Sequence, residues 1–277
     1  MSLSKEAIVS IENALQTLGF KSLLMGATAR DLIAEKFGIK APIRKTSDVD
    51  FAVLVEKWKD LEIIKETFKN KSDFSIAHEE KEKPARFFYK NIPFDIVPFG
   101  KLESDNKISW PPFYDKIMTV LGYREALESS IKIEVNGKLI DVISTDMLIA
   151  LKIISWEENQ GRHKDLTDIK YLIDNYEAIE PDSYMDILEN HEDIFSQFEF
   201  DTDSSSPITI GMKILKIAQP KTKERLISIL ASDSNTNKMI AIMAPGIDLD
   251  GEDQTREQKR CKLYLNSLLA ALKKDSQ

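Results

Sequence analysis

One cysteine, three histidines and no long apolar run distinguish this 277-residue chain, and each scarcity removes a class of function. Cys261 alone cannot close an internal disulfide, so nothing calls for an oxidising compartment. It lies in a charged helical stretch without a partner motif and reads as an ordinary thiol, not a nucleophile. His78, His163 and His191 are too scattered to give the ligand spacing of a zinc site. Met1 to Glu6 has no apolar h-region, and no run approaches the length of a membrane span. The expectation is a cytoplasmic protein with no membrane partner. Excess positive charge is also missing: 38 Lys and Arg face 46 Asp and Glu, for a net charge of −8. Binding long nucleic acid constitutively depends on phosphate neutralisation, so that class is disfavoured. Transient contact with a small RNA or a nucleotide through a local basic patch stays open.

The chain is 42% apolar and 30% charged, ordinary values for a folded protein with a sizeable core. Ile8, Ile11, Leu15 and Leu18 recur at helical spacing, and Gly19 offers a C-cap. Ser22 to Met25 reads as a short buried strand ended by Gly26, with a helix from Ala27 to Phe37. A basic loop from Ile39 to Ser47 leads to the clearest strand, Val49 to Val55, and Trp58 to Phe68 is helical. Strands are expected at Arg86 to Tyr89 and Phe94 to Val97, with Asn91 and Pro93 at the bend. Asn136-Gly137 between two apolar runs is a strong hairpin signal. From Thr145 onward the pattern is helical, with a polar, serine-rich linker at 201–207. No internal repeat is found. The spacing predicts an α/β (α+β) region over 1–143 and a mostly helical region over 144–277.

The most informative stretch is Thr46-Ser47-Asp48-Val49-Asp50-Phe51-Ala52-Val53. Strand side chains alternate, so Asp48 and Asp50 share one face while Val49 and Phe51 take the other. Two like charges on one face repel, and a divalent cation between them would relieve the repulsion. Magnesium, which takes a few carboxylates plus water and substrate phosphates, suits such a pair. The bland reading is a solvated turn, which Asp-x-Asp alone does not exclude. Asp95 interrupts the otherwise apolar run Ile92-Pro93-Phe94-Asp95-Ile96-Val97. A third carboxylate from a neighbouring strand would complete a two-metal site for phosphoryl transfer. A surface-facing strand residue is the competing reading.

These pieces resemble the nucleotidyltransferases of the DNA polymerase β superfamily. There a strand and a Gly-Gly or Gly-Ser turn open a helix, Asp-x-Asp lies on the next strand and a third Asp on a later one. The corresponding residues are Gly26-Ala27, Asp48-Val49-Asp50 and Asp95. Gly26-Ala27-Thr28-Ala29-Arg30-Asp31 is also similar to a segment of tRNA nucleotidyltransferases. A closer likeness is to the AbiEii/AbiGii toxin family, carried by Gly26 to Leu32, Arg44 to Phe51, Asp95 to Gly100 and Lys164 to Ile169 over about the first 175 residues. The resemblance implies a polymerase β-type mixed sheet with flanking helices, followed by a helical C-terminal region. It implies transfer of a nucleoside monophosphate from an NTP to an acceptor hydroxyl, with Mg²⁺ or Mn²⁺ held by Asp48, Asp50 and Asp95. It also implies an RNA 3′ end, tRNA in particular, as transient acceptor, a toxin role and an antitoxin partner encoded nearby. Two departures stand out. Ala27 replaces the second Gly or Ser of the turn and removes a hydroxyl contact to phosphate, and the stretch from Gly26 to Asp48 is longer than in minimal members.

Gly26, Ala27, Arg30 and Lys152 are the expected nucleotide-binding residues. Gly26 opens a helix whose free N–H groups suit phosphate, although a strand-to-helix turn alone also asks for glycine. Arg30 can meet phosphate, Asp31 or Asp48. Lys152 lies in an apolar helix, where lysines usually snorkel outward; by resemblance it serves the triphosphate. Asp165 and Asp168 share a helix face beside Arg162, His163 and Lys164, and the toxin-family likeness makes this motif functional. A helix N-terminus favouring acids explains it equally. Lys81, Lys83 and Arg86 form a basic run diluted by Glu79, Glu80 and Glu82. Trp110-Pro111-Pro112 suits base stacking or plain aromatic–proline packing. Rival readings are a housekeeping or antibiotic-modifying nucleotidyltransferase, and a degenerate nucleotide-binding module acting through a protein partner.

Overall fold

The computed structural model describes residues 3–40, 48–76, 85–246 and 251–274, with side chains in the last stretch from 256 onward. Arg44, Lys45, Thr46, Ser47, His78, Lys81 and Lys83, and the acids Glu79, Glu80 and Glu82, fall outside the described residues. The chain divides into two units, residues 1–36 with 40–144, and residues 37–39 with 145–277.

The first unit is built on a mixed seven-stranded sheet. Its strands are β1 (Lys21–Met25), β2 (Val49–Val55), β3 (Phe74–Ile76), β4 (Arg86–Tyr89), β5 (Ile92–Gly100), and, after a separate two-stranded ribbon of β6 (Lys107–Ser109) and β7 (Ile117–Thr119), β8 (Ile131–Val135) and β9 (Lys138–Val142). The order is β3-β4-β5-β2-β1-β9-β8. β1 runs antiparallel to β2, and β2 parallel to β5. The centre of the sheet is thus the strand pair that carries the acidic residues. Helices α1 (Leu3–Thr17), α2 (Gly26–Lys36), α3 (Trp58–Lys69) and α4 (Tyr123–Glu128) flank it.

β2 shows why its sequence folds this way. Val49, Phe51 and Val53 are buried on one face, while Asp50 and Leu54 on the alternate face are half-buried. Period two therefore separates core from site along a single strand. Beside it, Phe68, Phe74, Phe87 and Phe94 form a ring cluster with centroids 4.8–6.0 Å apart, in the offset and edge-on geometries that aromatic quadrupoles favour. This cluster packs β3, β4 and β5 against α3. Asn136 (φ 50°) and Gly137 (φ 81°) make the two-residue turn between β8 and β9. Both take the left-handed conformations this hairpin turn requires.

Two expectations are corrected, and one element is new. Pro93 lies inside β5, opposite Phe88, and the bend is Lys90-Asn91. The ribbon of β6 and β7 went unanticipated, because three-residue strands carry no usable period. The serine-rich stretch 201–207 is a short 3-10 turn running into the helix Ser205–Ile217, with Ser204 and Ser205 buried. Its serines turn their hydroxyls onto nearby backbone carbonyls, Ser204 onto Asp201 and Ser205 onto Thr202, which suits them to a helix start.

The second unit is helical. α5 (Thr145–Glu158) is buried on nearly every side from Thr145 to Ile154, the mark of a central helix. α6 (His163–Asp174) packs against it. Helix Ser205–Ile217 packs along the C-terminal helix Gly251–Leu272. Among the described residues, no helix is long and apolar enough to cross a membrane.

Candidate active site

The site begins at the end of β1. Gly26 has φ +71°, a left-handed conformation that side chains other than glycine resist. A Cβ built there would lie 2.1 Å from the Asp50 carboxylate, so the turn needs glycine for space as well as for conformation. Met25 pairs with Asp50 across the β1–β2 ladder, which brings the turn and the acid together. Thr28, in the first turn of α2, donates its hydroxyl to the backbone carbonyl of Asp48 at 2.7 Å. That bond ties the entrance of β2 to the start of α2.

The strand pairing completes the acidic group. Asp50 and Asp95 are register partners on parallel neighbours β2 and β5. Side chains at the same register point to the same face, and adjacent strands lie about 4.8 Å apart. Like charges on one face of neighbouring strands repel, less where water screens them. Asp48 lies just before β2 and adds a third negative charge.

A cation answers this charge. Arg86 on β4 is the antiparallel register partner of Asp95. Its Nε and Nη2 donate to the two carboxylate oxygens of Asp95, both at 2.7 Å. The same Nη2 lies 3.5 Å from Oδ2 of Asp48. The guanidinium pKa is raised, first by the hydrogen bonds to Asp95, against the opposing effect of burial, with further help from the charges of Asp95, Asp48 and Asp50. Arg86 thus feels all three acids at once. By sequence alone Arg86 reads as the end of a dilute basic run, solvated or suited to guiding an RNA acceptor. Counting back from the two-residue bend would have found the pairing, since Tyr89 opposite Ile92 puts Arg86 opposite Asp95.

The remaining expected residues divide by unit. Ala27 follows Gly26 in α2, and its methyl supplies no hydroxyl. Arg30 is 1% exposed and donates to Asp31 through Nε at 2.9 Å and Nη2 at 2.6 Å. Lys152 belongs to the second unit and is buried there. Its ammonium donates to Asp165 at 3.0 Å and Asp168 at 2.8 Å. Burial alone would raise the Asp165 pKa, but Lys152 and Arg162 together pull it below the usual carboxylate value. Snorkelling, the common fate of a helical lysine, does not occur here. Trp110 is buried against Trp58, with ring centroids 5.6 Å apart. Cys261 is buried, which pushes its thiol up to about 11, far from the thiolate range of a nucleophile.

No family model matches the chain, and no curated protein matches it. Solved structures do. One is an antigenic nucleotidyltransferase-like protein from Paracoccidioides brasiliensis, 21% identical, with a TM-score of 0.41 over 61% of this chain and 74% of that one. Another is ANT(2″)-Ia in complex with adenylyl-2″-tobramycin, 15% identical, with a TM-score of 0.39 over 57% of this chain and 78% of that one. A third is the STING-associated CdnE c-di-GMP synthase from Capnocytophaga granulosa, 15% identical, with a TM-score of 0.30 over 98% and 80%. These likenesses are distant, and the chemistry of the site rests on its own residues.

Those residues fit a hard divalent cation by donor type. Asp48, Asp50 and Asp95 offer only carboxylate oxygens, which magnesium prefers, and the Asp50 carboxylate packs directly against the side-chain-free turn at Gly26. Among the described residues, no three His, Cys, Asp or Glu side chains stand in ready-made metal-holding geometry. Between Asp95 and Asp48 stands the Arg86 guanidinium.

Proposed function

We propose that this chain is a metal-dependent nucleotidyltransferase that moves a nucleoside monophosphate from an NTP to an acceptor hydroxyl. The observation that carries the reading is the register of Asp50 beside Asp95, with Gly26 packed on Asp50 and Asp48 tied to the same helix start. Asp48, Asp50 and Asp95 would hold the Mg²⁺ or Mn²⁺, which when bound lowers the pKa of the attacking hydroxyl and neutralises triphosphate charge. Gly26 and the backbone N–H groups opening α2 face phosphate oxygens, as helix N-termini do. The acceptor oxygen bonds to the α-phosphorus, the bond to the β-phosphate oxygen breaks, and pyrophosphate leaves. Asp95 takes or relays the proton that the acceptor hydroxyl loses.

The acceptor in this reading is an RNA 3′ end, tRNA in particular. Support comes from the basic stretches Arg44-Lys45, Lys81 to Arg86 and Arg162 to Lys164, in sequence segments that bracket the site, and from a net charge of −8 that suits brief, salt-sensitive contact. The toxin role and the antitoxin partner rest on the resemblance to the AbiEii/AbiGii family, as does a part for Lys152 at the triphosphate. The test is to incubate the protein with Mg²⁺, total bacterial RNA and each NTP labelled at the α-phosphate. Label in a tRNA-sized band that vanishes in Asp48→Asn is expected. Label on a protein or small molecule would overturn the RNA acceptor, and no label anywhere would overturn transfer.

A further inference from the structure

Arg86 has no place in the reaction just described, yet it is the group most intimately engaged with the site. We infer that Arg86 is an exchangeable counter-ion: it holds Asp95 and Asp48 together in the metal-free protein and releases Asp95 when a divalent cation loads. The inference rests on the reading of Asp48, Asp50 and Asp95 as the cation site.

The geometry points this way from three directions. Both oxygens of Asp95 accept from Arg86 at 2.7 Å, the bidentate form in which an arginine grips a carboxylate most firmly. The same Nη2 faces Asp48 at 3.5 Å, so one planar cation spans two of the three proposed ligands. Magnesium needs ligand oxygens at 2.0–2.1 Å in near-octahedral array. A doubly charged ion at that distance from Asp95 and a guanidinium on the same carboxylate repel each other. One of them gives way, and the side chain on flexible methylenes moves more easily than the backbone-fixed register of β2 and β5. Arg86 is 17% exposed, which leaves its head a route toward water.

A merely structural arginine and a displaceable one predict opposite results. If Arg86 only supports the site, its removal weakens metal binding. If it competes, removal tightens binding. Mn²⁺ titration followed by electron paramagnetic resonance, on wild type and Arg86→Gln, reads this directly. The expected result is binding on the order of tenfold tighter in Arg86→Gln, and equal or weaker binding would overturn the inference. Should Arg86→Gln fold poorly, the wild type still decides. The Arg86 Nε–H resonance, assigned by its loss in Arg86→Lys, is expected to leave its hydrogen-bonded position when Mg²⁺ is added. A resonance that stays in place while metal binds would overturn the exchange. Asp50→Asn separates the two claims, because metal binding to wild type that persists undiminished in this variant places the cation elsewhere and removes the site reading itself.

Discussion

Asp50 and Asp95 lie side by side in register on two parallel central strands, and Arg86 closes the group from the third strand by clasping Asp95. The hairpin of β4 and β5 and the distant strand β2 thus converge on one patch of charge. The energetic consequence is a sheet centre that stores like-charge repulsion and compensates it with a cation.

The Gly26 turn gives the first prediction. Gly26→Ala places a methyl 2.1 Å from the Asp50 carboxylate at a φ of +71°. Left-handed strain and the forced shift of Asp50 together are expected to cost about 2–3 kcal/mol. Urea unfolding of the variant measures it, and NTP affinity is expected to fall as Asp50 moves. A loss below ~0.5 kcal/mol would mean that the turn relaxes freely.

Lys152 gives the second. Its ammonium is buried between Asp165 and Asp168, so Lys152→Met removes the cation that bridges the two acids and leaves Arg162 on Asp165. Breaking a buried pair from one side costs about 3–5 kcal/mol. The midpoint of chemical denaturation is expected to drop accordingly. If stability held while NTP affinity fell, the lysine would be serving the triphosphate in preference to the two acids.

Asp146 gives a pH dependence. It is buried, and its carboxyl is pushed up to about 6 by that burial, partly offset by the hydrogen bond from Tyr176 at 2.6 Å. Unfolded, it titrates at about 3.9. The folded state therefore holds an extra proton between these values, and stability falls as pH rises through the window from ~4 to ~6. The loss amounts to about 3 kcal/mol, from some two pK units at 1.36 kcal/mol each. Asp146→Asn keeps an acceptor for Tyr176 and removes the charge. Its stability, measured from pH 4 to 7.5, is expected to lack this component, and an unchanged pH profile would place its origin in another group.

Much of this arrangement is legible in the chain. The alternation of Val49, Asp50 and Phe51, the Asn136-Gly137 turn and the Gly26 break are local signals, and each has its structural counterpart. What escaped was relational. The pairing of Arg86 with Asp95 depends on a cross-strand register that hydrophobic pattern does not encode, although the bend at Lys90-Asn91 fixes it once seen. The ion pairs of Lys152 are equally invisible to the helical pattern, because its partners lie on the next helix, 13 and 16 residues away. The serines at 204 and 205 looked like a linker because composition cannot tell a mobile hydroxyl from one bonded at a helix start.

The most direct test of the nucleotidyltransferase reading is thermal unfolding with and without Mg²⁺ and an NTP. A ligand at 100 times its dissociation constant stabilises the folded state by about 2.7 kcal/mol, which raises the Tm of a chain this size by roughly 5 °C. Wild type is expected to show that rise with both present, and Asp50→Asn to show none. Equal shifts in the two proteins would place the nucleotide and its metal away from Asp48, Asp50 and Asp95 and contradict the assignment.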